Sequence, residues 1–371
     1  MKPRKYRNYS LAGTLALLIL IAAVIGGIWL WVSGGLFAMA GDGRDFTETV
    51  PASRIHSVRV DYPGGSVKVI STSDNEIAIH EFQRIEGEQF THSVASGTLL
   101  ISGGNSDAWW DFLLGRNKNQ LVLELPEPLI SDLEHMEIKT SSGDISSDEI
   151  KANNILLRTS SGNIQDVKLD GAEINAVTSS GDIRENTLKG GTLTLSSSSG
   201  DVRNTVADAE EVTIETASGA VRDVRITAEG VRFKTSSGNI RNSSFDAGKT
   251  LVLSTSSGNI EDLELASERA ELNTSSGNIK TSLNATTSIL KAVSGNIEAS
   301  FTDRLSFAGV QTTSGNIQVH APFDVDILAG VDMLEEGQAD PARKTIAVAT
   351  GSGDVHVNEV DMNEVQRVNW N

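Results

Sequence analysis

The sequence predicts an all-β chain. It reads as a parallel β-solenoid of about 11–12 coils of about 19 residues, with an irregular N-terminal β cap and one N-terminal transmembrane helix. Three observations carry this reading. A "TSSGNI"-like string returns at near-constant intervals, apolar residues alternate on both sides of it, and a charge-free apolar run stands near the N-terminus.

The Gly that follows Ser in each string serves as a ruler: Gly143, Gly162, Gly181, Gly200, Gly219, Gly238, Gly258, Gly277, Gly295, Gly315 and Gly353. The steps are 19, 19, 19, 19, 19, 20, 19, 18, 20 and 38 residues, the last being twice 19 and implying a further coil inside it. Five residues before the ruler stand Ile138, Leu157, Ala176, Leu195, Ile214, Phe233 and Leu253. Two after it stand Ile145, Ile164, Ile183, Val202, Val221, Ile240 and Ile260. Alternation of this kind marks strands with one buried face. One such unit cannot bury its own apolar side, whereas stacked units bury like on like.

The string itself reads as a corner. Gly supplies the backbone angles of a sharp bend. Thr and Ser fill a narrow interior and bond to their copies one coil away. The Asn or Asp after the Gly (Asp144, Asn163, Asn239, Asn259, Asn278) ladders along the axis, with Ala220 as an exception. Strands spaced about 4.8 Å apart give a rod on the order of 55 Å long, and the crossover rule makes the coil right-handed. Calcium-binding β-rolls repeat every nine residues with a denser Gly and Asp pattern, so calcium is not expected.

Composition agrees with a folded, extended chain: 34 Gly and 7 Pro among 371 residues, with 39% apolar residues held at strict positions. The absence of Cys excludes disulfides and thiolate chemistry. A formal net charge of −18 disfavours nucleic acid, which needs a basic face.

At the N-terminus, residues 1–10 carry Lys2, Arg4, Lys5 and Arg7 with no acid, and form a basic cytoplasmic flank. Residues 11–32, Leu11–Val32, are apolar, uncharged and long enough to cross a bilayer as a signal anchor. Trp29 and Trp31 fall where interfacial anchors lie. The rival is a cleaved signal peptide ending at Ala38–Ala40, against which the core of the run is too long. Residues 33–45 are a linker, 46–135 the cap, 136–360 the solenoid and 361–371 a tail. The chain beyond the anchor is then extracytoplasmic, periplasmic or at the cell surface.

The strand order, the "ELP" phrase at Glu124–Pro126 and the run of "SSGNI/SSGDI" strings resemble the putative-adhesin family of bacterial β-strand repeat proteins of unknown function. The likeness covers roughly residues 50–360. It implies an envelope location and binding, and its motifs are structural ones that carry no chemistry.

Residues for chemistry are few. The six His (His56, His80, His92, His135, His320, His356) lack metal-ligand spacing, and neither a nucleophile elbow nor a phosphate loop occurs, so no catalytic, cofactor or metal residue is assigned. Two candidate surfaces stand out. Arg184, Arg203, Arg222 and Arg241, each three residues after a ruler Gly, form a row on successive coils. Such a row fits an anionic polymer such as a charged envelope glycan, unless nearby carboxylates disperse its charge. Trp109, Trp110, Phe112, Leu113 and Leu114 either plug the end of the solenoid or meet a partner or the membrane. Near-uniform coils leave little room for the protruding loops a polysaccharide lyase or hydrolase needs. The reading is therefore a membrane-anchored, non-catalytic, adhesin-like binding or scaffold module of the cell envelope. An accessory of envelope-stress signalling, acting through another envelope protein, is the alternative.

Overall fold

The computed structural model describes residues 44–83, 89–103, 119–321, 325–329 and 343–359. The anchor segment 11–32, the possible cleavage site and the Trp109–Leu114 cluster lie outside these residues. Among the described residues no helix is long and apolar enough to cross a membrane.

The chain is an all-β parallel solenoid of about ten turns of 19-residue coils. The columns read from the sequence stack in register. Ile164, Ile183, Val202, Val221 and Ile240 pair in succession, as do Ile155, Ile174, Leu193, Val212 and Val231. Each regular coil has a long strand such as Lys168–Thr178, the Ser-Ser-Gly corner, and a two-residue strand such as Ile183–Arg184. Along the long strand the in–out alternation breaks near Gly171, where Ala172 and Glu173 both face solvent, and this bend forms another corner. Interior side chains join one continuous apolar core from Val50 to Val348.

A further corner is marked in the sequence only by an Asn and Asp bias. Asp166, Glu185, Asn204, Asp223, Asn242 and Asp262, each four residues after the ruler Gly, have φ between 49° and 59°. Asn and Asp tolerate this left-handed conformation better than other side chains do, which accounts for five of the six. The coil beginning at Ile279 lacks this residue. Glu261 and Leu263 pair with Lys280 and Thr281, so Asp262 has no counterpart and the step shortens to 18.

The corner glycines serve a different purpose from the one expected. Among the described glycines only Gly97, Gly315 and Gly353 have positive φ. What the others provide is space. A Cβ on Gly162, Gly181, Gly200, Gly219 or Gly238 would lie 1.7–1.9 Å from the carbonyl oxygen of the ruler Gly one coil earlier. Gly65 belongs to the same stack, because its carbonyl would meet a Cβ on Gly143 at 1.8 Å.

Both ends depart from a simple winding. The N-terminal elements are β1 (Arg44–Pro51), β2 (Ser57–Asp61), β3 (Gly65–Thr72), β4 (Glu76–Gln83), β5 (Thr91–Ala95), β6 (Thr98–Ser102), β7 (Asn119–Pro126), the short helix α1 (Glu127–Ile130), β8 (Leu133–Lys139) and β9 (Ile145–Ser147). The β2–β3 coil lies between the later β6–β7 coil and the β8–β9 coil. Antiparallel β4 and β5 then cover β7 and β6, and β1 covers β4. Paired strands thus occupy an end that would otherwise offer open edges.

At the other end the 38-residue gap is not a further coil. Phe307–Ser314 pairs directly with Lys344–Ser352, and Ile317–Ala321 with Val355–Glu359. Gly353 accordingly packs on Gly315. The intervening Val325–Ala329 strand pairs with the far side of Lys344–Val348. The expected twelfth coil is an insertion whose strand is laid on the outer edge of the chain that follows it.

Candidate functional site

In each "TSSGN" string the Thr and the Asn side chains bond within the stack, while the Ser pair between Thr and Gly is exposed. Thr178 Oγ1 donates to Gly162 O (3.0 Å) and accepts from Gly181 N (3.1 Å). The same pair of bonds forms at Thr140, Thr159, Ser197, Thr255 and Thr274. The hydroxyl therefore binds the neighbouring coil's Gly carbonyl and not its own copy.

The residue after each Gly builds a second ladder. Asp144 Oδ1 accepts from Asn163 N, Asn163 Oδ1 from Asp182 N, Asp182 Oδ1 from Asp201 N, and Asp201 Oδ1 from Ala220 N, all at 2.8–3.0 Å. It resumes with Asn239 Oδ1 and runs through Asn259, Asn278, Asn296 and Asn316 to Asp354 N. Among the described residues its one interruption is at Ala220, which has no side-chain acceptor.

The guanidinium row is real as a register: Gln165, Arg184, Arg203, Arg222 and Arg241 pair in sequence, followed by Glu261 and Lys280. Much of its charge is met within the protein. Arg203 Nη2 lies 3.1 Å from Asp182 Oδ2, and Arg222 Nη2 lies 3.5 Å from Asp201 Oδ2. In both cases the free oxygen of the ladder residue one coil earlier is the acceptor. Arg222 also meets Asp223 at 3.4 Å, and Arg184 meets Glu185 at 3.6 Å and Gln165 Oε1. Arg241 stands opposite Ala220, is exposed, and has no ion pair among the described residues. The carboxylates one residue on, such as Glu185 and Asp223, reach the row because the chain bends there. The partners 21 positions back, Asp182 and Asp201, are legible only by reading the coil diagonally.

The cap holds two polar clusters that the sequence did not disclose. Buried Glu81 accepts from Tyr62 Oη (2.9 Å), Gln83 Nε2 (3.1 Å) and Phe90 N (3.1 Å). Burial and the adjacent Glu81 carboxylate push the Tyr62 hydroxyl far above its ordinary range. Buried Glu137 faces Arg59 Nε at 2.5 Å, Lys139 Nζ, and His135 Nε2 at 3.7 Å. Burial pushes the Glu137 carboxyl up, but Lys139 and Arg59 together outweigh it and hold the group below its ordinary 4.5. A depressed carboxyl stabilises the fold above its unfolded value, and that stability is lost as pH falls below 4.5 through the folded value. Glu137→Gln is expected to cost about 1.5–3 kcal/mol at neutral pH. The gap in thermal midpoint from the wild type should narrow as pH is lowered from 4.5; a gap constant from pH 7 to pH 3 would contradict the assignment.

Of the six His, His56, His80, His92 and His135 each lie within 4 Å of a Glu in the cap. His320 is in register with Asn358 and not with His356. Among the described residues no three His, Cys, Asp or Glu side chains converge as a metal site.

Comparison with known proteins follows the architecture. The family model described as Toastrack DUF4097 matches residues 55–204 and 185–358. No curated protein matches the chain. Solved structures that resemble it include a putative adhesin from Bacteroides fragilis, at 12% identity over 85% of this chain and 97% of that one, with a TM-score of 0.22. A putative lipid binding protein from Parabacteroides distasonis matches at 13% identity over 85% and 98%, with a TM-score of 0.32. A putative cell adhesion protein from Clostridium sporogenes matches at 11% identity over 86% and 100%, with a TM-score of 0.18. The resemblance carried by the SSGNI and SSGDI strings is met by the family match, which spans most of the solenoid and its cap. The chain belongs to the Toastrack DUF4097 family.

Proposed function

We propose that the protein is a non-catalytic, adhesin-like binding or scaffold module of the bacterial cell envelope. Residues 11–32 tether it to a membrane, residues 1–10 stay in the cytoplasm, and the solenoid stands outside. The supporting observation is the use to which the repeated polar groups are put. The Thr-column hydroxyls, the Asx side chains and most of the Arg row bind neighbouring coils. Groups committed to the stack are not free to act as nucleophiles or general bases. What the coils offer outward is a stiff surface that repeats at about 4.8 Å, suited to a repetitive ligand. Arg241, the member of the guanidinium row without an ion pair among the described residues, is the part of that surface suited to an anionic envelope glycan.

The absence of native Cys makes a direct test of topology available. In intact spheroplasts, an impermeant maleimide should label a Ser199→Cys variant, whereas Asn8→Cys should react only after lysis. Labelling in the reverse order would defeat the reading. The full chain in liposomes should also retain anionic envelope polysaccharide without shortening it. Release of shortened products would return the enzyme reading.

A further inference from the structure

The break in the Asx ladder coincides with the open member of the guanidinium row, and one residue causes both. Two coils show how a carboxylate fits at this place. Asp182 accepts from Asp201 N at Oδ1 (3.0 Å) and from Arg203 Nη2 at Oδ2 (3.1 Å). Asp201 accepts from Ala220 N at Oδ1 (2.9 Å) and from Arg222 Nη2 at Oδ2 (3.5 Å). In the next coil the equivalent donors are Asn239 N and Arg241, and the residue opposite is Ala220. A methyl group stands where the two oxygens belong. Neither donor has another partner among the described residues. Asn239 is half-buried and Arg241 exposed, so the place opens to solvent.

We propose that Ala220, Asn239 and Arg241 form a carboxylate-binding notch. A ligand carboxylate there takes the position that an aspartate side chain fills one and two coils earlier. One oxygen accepts from Asn239 N and the other from the Arg241 guanidinium. The planar two-oxygen requirement favours a carboxylate over a tetrahedral anion. The amide is fixed by the stack, so little ordering opposes binding, and the charge-assisted bond to Arg241 supplies the stronger contact. The flanking Arg222 is already neutralised by Asp201 and Asp223, which leaves Arg241 as the cation a ligand meets. As the anchor point of the proposed glycan surface, the notch rests on that reading for its polymer. Its affinity for a free carboxylate requires only the coil register.

The test uses the full chain in detergent, labelled with 15N-asparagine and titrated with sodium acetate, an oligogalacturonate and sodium phosphate. Acetate should shift the Asn239 amide resonance saturably, with half-saturation on the order of 10 mM. Ala220→Asp fills the notch from within, and Arg241→Gln removes its cation. Each should weaken the shift at least about tenfold. Ala220→Asp should also raise the thermal midpoint by completing the ladder. An independent arm opens the equivalent place one coil earlier: Asp201→Ala should lower the midpoint, and acetate should restore part of the loss. Equal shifts in the wild type and Ala220→Asp, or a phosphate response matching that of acetate, would overturn the proposal. Oligogalacturonate binding that survives in Ala220→Asp would remove the notch while leaving the wider glycan surface in place. Acetate binding without any oligogalacturonate effect would keep the notch and remove the glycan surface.

Discussion

Gly200→Ala is expected to cost more than about 4 kcal/mol, enough to prevent a stable central solenoid. The added Cβ would lie 1.8 Å from Gly181 O and 2.4 Å from Gly181 C. No side chain can move aside, because the obstacle is the backbone of the preceding coil. Two rungs must separate instead, and with them go neighbouring bonds such as Gly200 N to Ser197 Oγ and Asp201 N to Asp182 Oδ1. Gly248→Ala is the control, because its nearest neighbours stand 3.8 Å away. That substitution should be neutral or raise stability by up to about 1 kcal/mol through the unfolded chain. Circular-dichroism melts and limited proteolysis separate the outcomes. In Gly200→Ala the cuts should fall near coils 181–219, since solenoid coils depend chiefly on their neighbours. A midpoint within a few degrees of the wild type would mean that the coils are not packed backbone on backbone.

That prediction also shows how far the sequence could be read. A period of 19 places Ile164 under Ile183 and Val202 under Val221, so fold and register followed from counting. The glycine column was visible, but its reason was not, since a bend and a close approach both select Gly. The ends were hidden for a topological cause. Nothing local in "SVRVD" or "VDILA" reveals that β2 lies inside β6, or that Val325–Ala329 lies outside a strand that follows it. Gly65 did have a signal: "GGSVKV" places Ser66 at the ladder position and Val67 at the interior position. The left-handed column at Asp166 and Glu185 gave only its Asn and Asp bias. The notch was half visible. Ala220 stood out as an exception to the Asx column, and Arg241 as a member of the Arg row. Their relation depends on a diagonal contact across one coil.

Phe233→Ala is expected to be the most costly of the side-chain truncations in the regular coils, at about 3–5 kcal/mol. Phe233 is stacked between Ile214 and Leu253 in its column, and Phe245 between Ile226 and Leu265. Their ring centroids are 4.9 Å apart with planes inclined at 53°, so the two rings fill the interior from opposite sides of the winding. Truncation removes the burial of one ring and the edge contact between rings, the latter worth about 0.5–1.5 kcal/mol. Collapse of the space is opposed because each flanking coil is fixed by its own ladder hydrogen bonds. Phe233→Leu keeps most of the volume and should cost no more than about 1.5 kcal/mol. The double change of Phe233 and Phe245 to Ala should cost less than the sum of the two single ones, because the ring contact is lost only once. Hydrogen exchange locates the damage: faster exchange is expected at Ile214 and Leu253, with Ile155 unchanged. Uniform loss of protection along the solenoid would show that the coils unfold as one unit, and would set aside the neighbour-limited picture on which both stability predictions rest.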